Sequence, residues 1–598
     1  MNGILTKQIK SGCLVMFALL HAFYILPALS ARDASSYKYA VVISSGACSD
    51  AGWKAVADSL VKKHGDRGNA RIFTWQTSVN DVKSGLSDFR PDYIGYIARP
   101  ETECNSAFVV AVSRLSRQLD DDLYGDAVWG IITGFEAADA MRAVSESLTV
   151  KTVLCASGNL SHEPPIQRFY QAVGMTCDDV ARTDYLFPDR SGRIYTENRR
   201  PYGEQDRIKI VSRWLNEESL DFQIAGQGSI RGPIDCIITG GHGNVNLWQC
   251  HYPEPGIEGY MRSSAGRLFG SPYSGDNISI SVPTPKVFWC LSNCLMGNPD
   301  NKNNIVYAAF HTGHAVQMFG FVNNAAAGNE FMAWGVYDRV TKSAGKYTLP
   351  EGFFLSNNNA QFELRHPTGQ MNTSQVRIYM DSTVFYGDPA GDVCFEGFGD
   401  SAKAYKEELT FVENGSGGAD FTYTVTMVAH DLEFGVGYCY QFRPISLLPV
   451  RIDPLTVNIT GNDGHTADIT DNLLVWEMLS KGERLQKGST RTLKWTAELI
   501  DDVTGAVRGV SEKPAVKKMN IVSLRNGSQT LLRGSPVLED ETALRVFDNS
   551  GRLLCKSKIP AGNTCWQVRV PNVLAAGVVL VVIEKNGAAL CSDAVMVR

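Results

Sequence analysis

Short apolar runs and amphipathic stretches alternate along the chain from residue 38 onward. The run YAVVISSG is followed by SDAGWKAVADSLVKKHG, whose apolar residues recur at helical spacing: Trp53, Val56, Ala57, Leu60 and Val61. The further runs ARIFTW, DYIGYIA, AVWGIITG and KTVLCASG alternate with other amphipathic stretches in the same way. Strands that alternate with helices predict an α/β fold with a mainly parallel sheet and flanking helices.

A turn-rich stretch, FPDRSGRIYTENRRPYGEQ, separates this block from a second one with the strand candidates IDCIIT, KVFWCLS and HAVQMFGFV. Past residue 400 the helical period fades, and ELTFVENGSGGADFTYTVTMVAH alternates as strands of an antiparallel β-sandwich do. The pattern therefore predicts two α/β subdomains, residues 38–190 and 205–392. An immunoglobulin-like β region at 403–525 and a small β module at 531–598 are predicted to follow.

The first 30 residues have the pattern of a signal peptide. Lys7 and Lys10 precede the apolar stretch CLVMFALLHAFYIL, and Ala28 and Ser30 occupy the small-residue positions of a cleavage site. The apolar stretch is shorter than the ~20 residues that a membrane span needs, and no later run reaches that length. We therefore expect a mature protein that is secreted or held at the cell surface, without a transmembrane anchor.

The composition of the chain bears on its binding partners and on its cysteine chemistry. Of the 598 residues 44% are hydrophobic and 20% are charged, as in an ordinary globular protein, and the net charge is −6. No block is dense in lysine and arginine, which argues against a nucleic-acid partner. Of the 14 cysteines, Cys13 is lost with the signal peptide. The remaining odd number leaves at least one thiol unpaired within the chain, available as a nucleophile.

Two apolar runs stop at a reactive side chain beside glycine: IDCIITGGHGNVNLWQC reaches His242, and PKVFWCLSNCLMGN reaches Cys294. Ligands bind at the carboxyl ends of the strands in a parallel α/β sheet. A histidine and a cysteine on neighbouring strand ends could form a base–nucleophile pair. Gly243 lets a substrate approach the backbone closely, so its N–H and that of Cys294 could form an oxyanion hole.

Other interpretations of the same residues stay open. A cysteine near a buried strand is often only a small apolar residue, and a histidine beside glycine is often a turn residue. A zinc site would combine Cys290 and Cys294 with His242, Cys250 and His251. An extended strand separates positions 290 and 294 by about 13 Å, too far to share one ion or to form a disulfide. Zinc therefore requires a tight turn between them.

The motifs TGGHGN and SNCLMGN resemble the His-Gly and Cys-x-x-Gly signatures of gingipain-type cysteine peptidases, which share the caspase-like fold. The stretches LDDDLYGDAVWGIITGFEAADAMRAV, HAVQMFGFVNNA and VFYGDPA also resemble segments of that family, so the resemblance covers roughly residues 38–392. It implies an endopeptidase that acts through a thioester acyl-enzyme on protein or peptide substrates and requires no cofactor. His242 would be the general base and Cys294 the nucleophile, with Gly243 and Cys294 as the oxyanion hole.

The sequence departs from the family in three respects. Ile132 stands where members often carry arginine, and no long propeptide separates the signal peptide from residue 38. No acidic third member of the catalytic set is evident from the motifs. Glu101 and Glu103 in RPETEC are the nearest candidates.

An acidic cluster, Asp120, Asp121 and Asp122, comes just before the strand AVWGIITG. Such a run is often a solvated loop or a calcium-binding turn, so structural calcium stays open. In arginine-cleaving gingipains an aspartate in a similar Asp-x-Tyr setting lies in the primary specificity pocket, and Asp122-Leu123-Tyr124 resembles that setting. A carboxylate there would pair with a guanidinium, so the resemblance implies cleavage after basic residues.

The last β module is similar to the C-terminal sorting domains of proteins that the type IX pathway exports in Bacteroidetes-like bacteria. The similarity implies an export machinery as a partner. Two alternatives to the endopeptidase remain: a sortase-like transpeptidase of the export pathway, and a non-catalytic surface protein that uses the same fold for binding or adhesion.

Overall fold

The computed structural model describes residues 37–65, 69–157, 169, 171–177, 182–187, 195–198, 207–218, 221–222, 228–229, 233–251, 258–291, 293–324, 335–337, 339–341, 347–369, 372–396, 405–414, 417–429, 431–433 and 443–500, together with seven strands between 520 and 597. The predicted signal peptide lies outside these residues. The chain divides into two units, Met1–Asp502 and Val503–Arg598.

The strands of the first unit are β1 (Lys38–Ser44), β2 (Asn69–Trp75), β3 (Tyr93–Ile97), β4 (Val128–Ile132), β5 (Leu148–Val150), β6 (Thr152–Ser157), β7 (Gln171–Cys177), β8 (Arg182–Phe187), β9 (Tyr195–Asn198), β10 (Asp221–Phe222), β11 (Gly228–Ser229), β12 (Cys236–Gly240), β13 (Gly243–Asn244), β14 (Leu247–His251), β15 (Glu258–Ser264), β16 (Arg267–Ser271), β17 (Ile278–Ile280), β18 (Lys286–Cys290), β19 (Ala315–Phe321), β20 (Thr383–Tyr386), β21 (Val393–Phe395), β22 (Tyr405–Glu413), β23 (Gly418–Met427), β24 (Leu432–Glu433), β25 (Ile445–Leu447), β26 (Asn458–Gly461), β27 (Ala467–Ile469), β28 (Leu473–Trp476), β29 (Arg484–Leu485) and β30 (Thr490–Glu498).

The helices are α1 (Ser45–Cys48), α2 (Ala51–Gly65), α3 (Lys83–Phe89), α4 (Ser106–Leu115), α5 (Ala137–Ser145), α6 (Arg207–Leu215), α7 (Ile305–His311), α8 (Leu349–Arg365) and α9 (Thr373–Ser382). Residues 335–337 and 339–341 are also helical, and Val79–Val82 and Pro454–Thr456 form 3₁₀ turns.

One sheet of twelve strands forms the centre of the first unit, in the order β2-β1-β3-β4-β20-β19-β18-β12-β6-β7-β8-β9. Strands β2, β1, β3 and β4 are parallel to one another, and so are β19, β18, β12, β6 and β7. Strand β20 lies between the two groups, antiparallel to β19 and paired with β4 through Tyr386 and Ile131. This sheet confirms the predicted α/β class and the mainly parallel arrangement, and it is compatible with a caspase-like fold.

Strands β3 and β4 are buried at every residue, which explains why neither contains a charged residue. Alternate residues of β1 enter two different cores: Ala40 and Val42 pack with Phe108 of α4, whereas Val41 packs with Trp53 of α2. The stripe predicted for α2 is the buried side of that helix, except that Val61 is only partly buried.

Strands from both predicted α/β subdomains belong to this one sheet. Strand β6, which falls within the predicted range 38–190, pairs with β12 of the predicted range 205–392. The subdomain boundaries themselves stay predictions. Between β12 and β18 the chain forms a separate antiparallel sheet in the order β13-β14-β15-β16-β17, which the sequence pattern did not reveal.

The described residues between 405 and 500 form mainly β-strands. A four-stranded sheet, β22-β23-β30-β26, and a three-stranded sheet, β25-β28-β27, share one core, in which Phe421 stacks on Trp495 with ring centroids 4.9 Å apart. Helix α8 joins this region to the large sheet, since Phe353 packs in the core of the sheet and Ala360 in that of the β region.

The second unit consists of strands β31 (Asn520–Asn526), β32 (Gln529–Ser535), β33 (Thr542–Phe547), β34 (Leu553–Ile559), β35 (Trp566–Val570), β36 (Gly577–Lys585) and β37 (Ala588–Val597). They form two antiparallel sheets, β31-β32-β35 and β34-β33-β36-β37. Within the described part of the chain, no helix is both long enough and apolar enough to cross a membrane.

Candidate functional site

His242 and Cys294 lie at the same edge of the large sheet. Strands β12 and β18 are parallel neighbours, with Thr239 opposite Cys290, so their carboxyl ends are adjacent. His242 follows the end of β12 by two residues and is exposed, and Cys294 follows the end of β18 by four residues and is half-buried. The structure therefore brings the predicted base and the predicted nucleophile to adjacent strand ends.

Gly243 packs against the backbone of the Cys294 loop. A methyl group added to Gly243 would lie 2.7 Å from the Cys294 carbonyl oxygen and 2.9 Å from Cγ of Met296. These distances are shorter than van der Waals contact, so a larger residue would separate the two loops. The two predicted oxyanion-hole residues, Gly243 and Cys294, are thus in direct contact with one another.

Asn293 connects the same two loops, although no sequence motif had singled it out. Its side chain is fully buried. Its Oδ1 accepts a hydrogen bond of 2.6 Å from Oγ1 of Thr239, and its Nδ2 donates one of 3.0 Å to the carbonyl of Gly241. On the other side of the histidine, the backbone N–H of Gln249 donates to the carbonyl of His242 at 3.0 Å.

The backbone after Cys294 turns sharply over the ends of β19 and β20. Leu295 has a φ of 57°, in the left-handed region, and its N–H donates to the carbonyl of Asn323 at 3.0 Å. Gly297 donates to the carbonyl of Phe321 at 2.9 Å and accepts from the hydroxyl of Tyr386 at 2.7 Å. These bonds hold the backbone on the far side of Cys294 to the large sheet.

The loop after β3 packs against the same region. The hydroxyl of Tyr307 donates to the carbonyls of both Cys104 and Pro299 at 3.1 Å, and the N–H of Ser106 donates to Oδ1 of Asp300 at 2.7 Å. These bonds join the loop after β3 to the segment that follows Cys294 in the chain.

The two acidic residues of that loop have other partners. Glu101 forms an ion pair of 3.0 Å with Lys302. Glu103 accepts from Oγ of Ser44 at 2.7 Å and pairs with Arg99 at 2.6 Å. Although burial acts in the opposite direction, the hydrogen bonds from Arg99 and Ser44 hold the pKa of Glu103 below its usual value. These contacts give both residues a structural role, and a third catalytic acid stays a prediction.

Helix α4 returns the chain to the amino end of β4, and Asp122 is in the loop that precedes this strand. Strand β4 is parallel to β20, which is antiparallel to β19, so the amino end of β4 is on the same side of the sheet as the carboxyl end of β18. Strands β20 and β19 lie between β4 and β18. The substrate-pocket role of Asp122 stays a prediction.

Asp122 lies beside two other carboxylates. Oxygen atoms of Asp120, Asp122 and Asp471 lie within 4.8 Å of one another. Burial, together with the charge of Asp120, raises the pKa of Asp122 to about 7 and that of Asp126 to about 9. Carboxylate oxygens crowded in this way are the ligands that calcium prefers. The group fits the calcium-binding turn, which stays a proposal.

We expect calcium to raise the Tm of the protein after it has been stripped with a chelator. An ion that binds only the folded state at about 100 times its Kd adds roughly 2.7 kcal/mol to the free energy of unfolding. Asp122→Asn should weaken this response in a thermal melt. Glu136→Gln is the matched control, because Glu136 belongs to the other described group of this kind, with Asp139 and His311. A Tm that is unchanged by calcium would contradict the proposal.

The structure gives no support to a zinc site at the candidate cysteines. Within the described residues, neither group of closely spaced potential ligands includes His242, Cys290 or Cys294. Cys290 is buried within β18, and burial raises the pKa of its thiol to about 12. A zinc ligand would have to be a thiolate.

Several known protein structures are similar to this chain, with low TM-scores. It matches a complex of the pro- and mature domains of Porphyromonas gingivalis RgpB at 10% identity and a TM-score of 0.38, covering 88% of this chain and 100% of that one. A structure described as a protease matches at 9% identity and a TM-score of 0.33, covering 94% and 97%. A β-glucuronidase from Ruminococcus gnavus matches over 30% of this chain and 35% of its own at 9% identity, with a TM-score of 0.12.

No protein-family model matches the sequence, and no curated protein matches it. Because all three TM-scores lie below 0.5, any functional conclusion has to be drawn from the residues of the chain itself.

Proposed function

We propose that the protein is a cysteine endopeptidase in which Cys294 is the nucleophile and His242 the general base. The observation that carries the proposal is the contact between Gly243 and the backbone of Cys294, which places the two reactive side chains on loops that touch. A scaffold used only for binding has no need of an imidazole and a thiol at adjacent strand ends.

The proposed reaction uses these residues in two stages. His242 accepts the thiol proton while the sulfur of Cys294 attacks the carbonyl carbon of a peptide bond. The N–H groups of Gly243 and Cys294 stabilise the oxyanion of the tetrahedral intermediate. The protonated imidazole then gives its proton to the departing amine, and a thioester remains. Water, deprotonated by His242, hydrolyses the thioester and restores the thiol.

The finer features of the proposal rest on the resemblance and on sequence patterns. The proposal includes secretion through the signal peptide and recognition of residues 531–598 by an export machinery. Cleavage after basic residues also belongs to it. In this proposal the carboxylate of Asp122 lies in the substrate pocket and pairs with the basic side chain.

The experiment that tests the function is labelling of the folded protein with a peptide that carries a thiol-reactive electrophile. We expect stoichiometric labelling of Cys294, read by mass spectrometry, and strongly slowed labelling in His242→Ala. Cys394→Ser is the matched control, because Cys394 is also a half-buried cysteine. Labelling spread evenly over several cysteines, or unchanged in His242→Ala, would favour a non-catalytic surface protein.

A peptide substrate with a fluorescent leaving group distinguishes the endopeptidase from a transpeptidase. An endopeptidase passes the acyl group to water, so turnover should not depend on an added amine. Turnover that occurs only with a peptide amine as acceptor would instead support the sortase-like reaction.

A further inference from the structure

We propose that Asn293 is a positioning residue whose carboxamide fixes His242 relative to Cys294. The inference rests on the proposed roles of His242 and Cys294. Asn293 itself precedes the nucleophile in the chain, and its side chain reaches the loop that carries the base. One buried amide therefore couples the two reacting side chains through the backbone.

The two hydrogen bonds of Asn293 determine how the amide is oriented. A carbonyl oxygen only accepts, so the amide nitrogen must be the atom that faces the carbonyl of Gly241, 3.0 Å away. The amide oxygen then faces the hydroxyl of Thr239, which donates at 2.6 Å. Cβ of Asn293 also lies 3.1 Å from the point where a Cβ of Gly243 would be. The side chain thus spans the segment on both sides of His242.

The position of the imidazole depends on the backbone that carries it. The side chain of His242 is exposed. Gly241 has a φ of 100°, a conformation open mainly to glycine, and glycine restricts the backbone least. The bond from Asn293 to the Gly241 carbonyl limits rotation at the residue just before the base. A displacement of about 1 Å in a catalytic pair can cost ~10²-fold in rate.

Two substitutions remove the constraint in different ways. Asn293→Asp replaces the donor that faces the Gly241 carbonyl with an acceptor, and Thr239→Val removes the hydroxyl that orients the amide while keeping its shape. We expect each to lower kcat on a peptide substrate about 10²-fold while KM changes less than about twofold. Thr239→Ser keeps the hydroxyl and should restore kcat to within about threefold of the wild-type value. An equal loss in Thr239→Ser and Thr239→Val would overturn the proposal.

A double-mutant cycle tests whether Asn293 acts through His242. The readout is the rate constant for alkylation of Cys294 by iodoacetamide, which requires no peptide recognition. We expect His242→Ala and Asn293→Asp each to slow alkylation about tenfold, and the double variant to be less than about twofold slower than His242→Ala. Effects that multiply would mean that Asn293 only supports the fold, and the proposal would be wrong.

The same cycle separates failure of this inference from failure of the proposed function. If the wild-type protein cleaves no peptide but the alkylation rates show the coupling, the peptidase function fails and the positioning role stands. If peptides are cleaved and the coupling is absent, the function stands and the positioning role is wrong. Thr239→Val provides the same comparison should Asn293→Asp fold poorly, as a melt would show.

Discussion

Cys294→Ala is expected to abolish peptide hydrolysis without unfolding the protein. The thiol is the proposed nucleophile, and alanine leaves the backbone contact with Gly243 in place. His242→Ala should be comparably inactive, because the thiol then lacks its base. Removing one member of such a pair costs about as much as removing both, so each single variant and the double variant should fall by roughly four orders of magnitude or more in kcat/KM. Initial rates on a fluorogenic peptide, with Tm as the control for folding, measure this.

Cys290→Ala is the control for that experiment. Cys290 is buried four residues before Cys294, within β18, and its loss should leave most of the activity. Activity that disappears in Cys290→Ala together with release of stoichiometric zinc would support the zinc site instead. Substantial activity in Cys294→Ala would show that the nucleophile is another residue.

Asp388→Asn is expected to be the most destabilising of the substitutions considered. The carboxylate is almost fully buried just beyond β20, where it accepts from Nε2 of His64 and from the hydroxyl of Tyr39, both at 2.9 Å. Lys63 lies 3.3 Å away. Breaking a buried ion pair by removing one partner typically costs about 3–5 kcal/mol. Denaturant unfolding of the two proteins at neutral pH should show a difference of that order.

The pH dependence of the stability difference between the wild type and Asp388→Asn shows whether the Asp388 carboxylate causes it. Burial alone would raise the pKa of Asp388, but His64, Lys63 and Tyr39 hold it well below the usual value. A carboxyl with a lowered pKa stabilises the fold above the pKa of the unfolded state, roughly 3.9, and loses that contribution as the pH falls towards the folded value. The difference between wild type and Asp388→Asn should therefore shrink as the pH is lowered below about 4.

Asp392→Asn is the matched control, since Asp392 also lies 3.3 Å from Lys63 but is about a third exposed. An exposed pair contributes about 1 kcal/mol or less. A loss in Asp392→Asn as large as that in Asp388→Asn, or a difference for Asp388→Asn that does not shrink as the pH is lowered below about 4, would contradict the role assigned to the buried network.

The central strands of the large sheet were predictable because both of their faces are buried, whereas β9 lies in the stretch that the pattern marked as turn-rich. Runs such as VFWC of β18 and CII of β12 are apolar at every position, which is typical of strands covered on both faces. The same runs indicated where His242 and Cys294 would lie, since a residue just past a parallel strand lies at its carboxyl end.

The sequence did not predict which segments far apart in the chain contact one another. Strands β13 to β17 are short and contain polar residues, so the hydrophobic pattern did not predict them. Asn293 is one polar residue in a loop, and its importance depends on Thr239 and Gly241, more than fifty residues away. The sequence placed Asp122 before β4, but only the structure shows that β4 runs antiparallel to β18.

The place of β20 has a consequence for how the chain is made. Residues 383–386 form the strand between β4 and β19, although β4 is complete by residue 132. Until synthesis has passed residue 386, β4 and β19 each present an unpaired strand edge. Such edges are sites of aggregation for incomplete chains. A chain that ends before residue 383 retains both edges and is expected to aggregate more readily than the full-length chain.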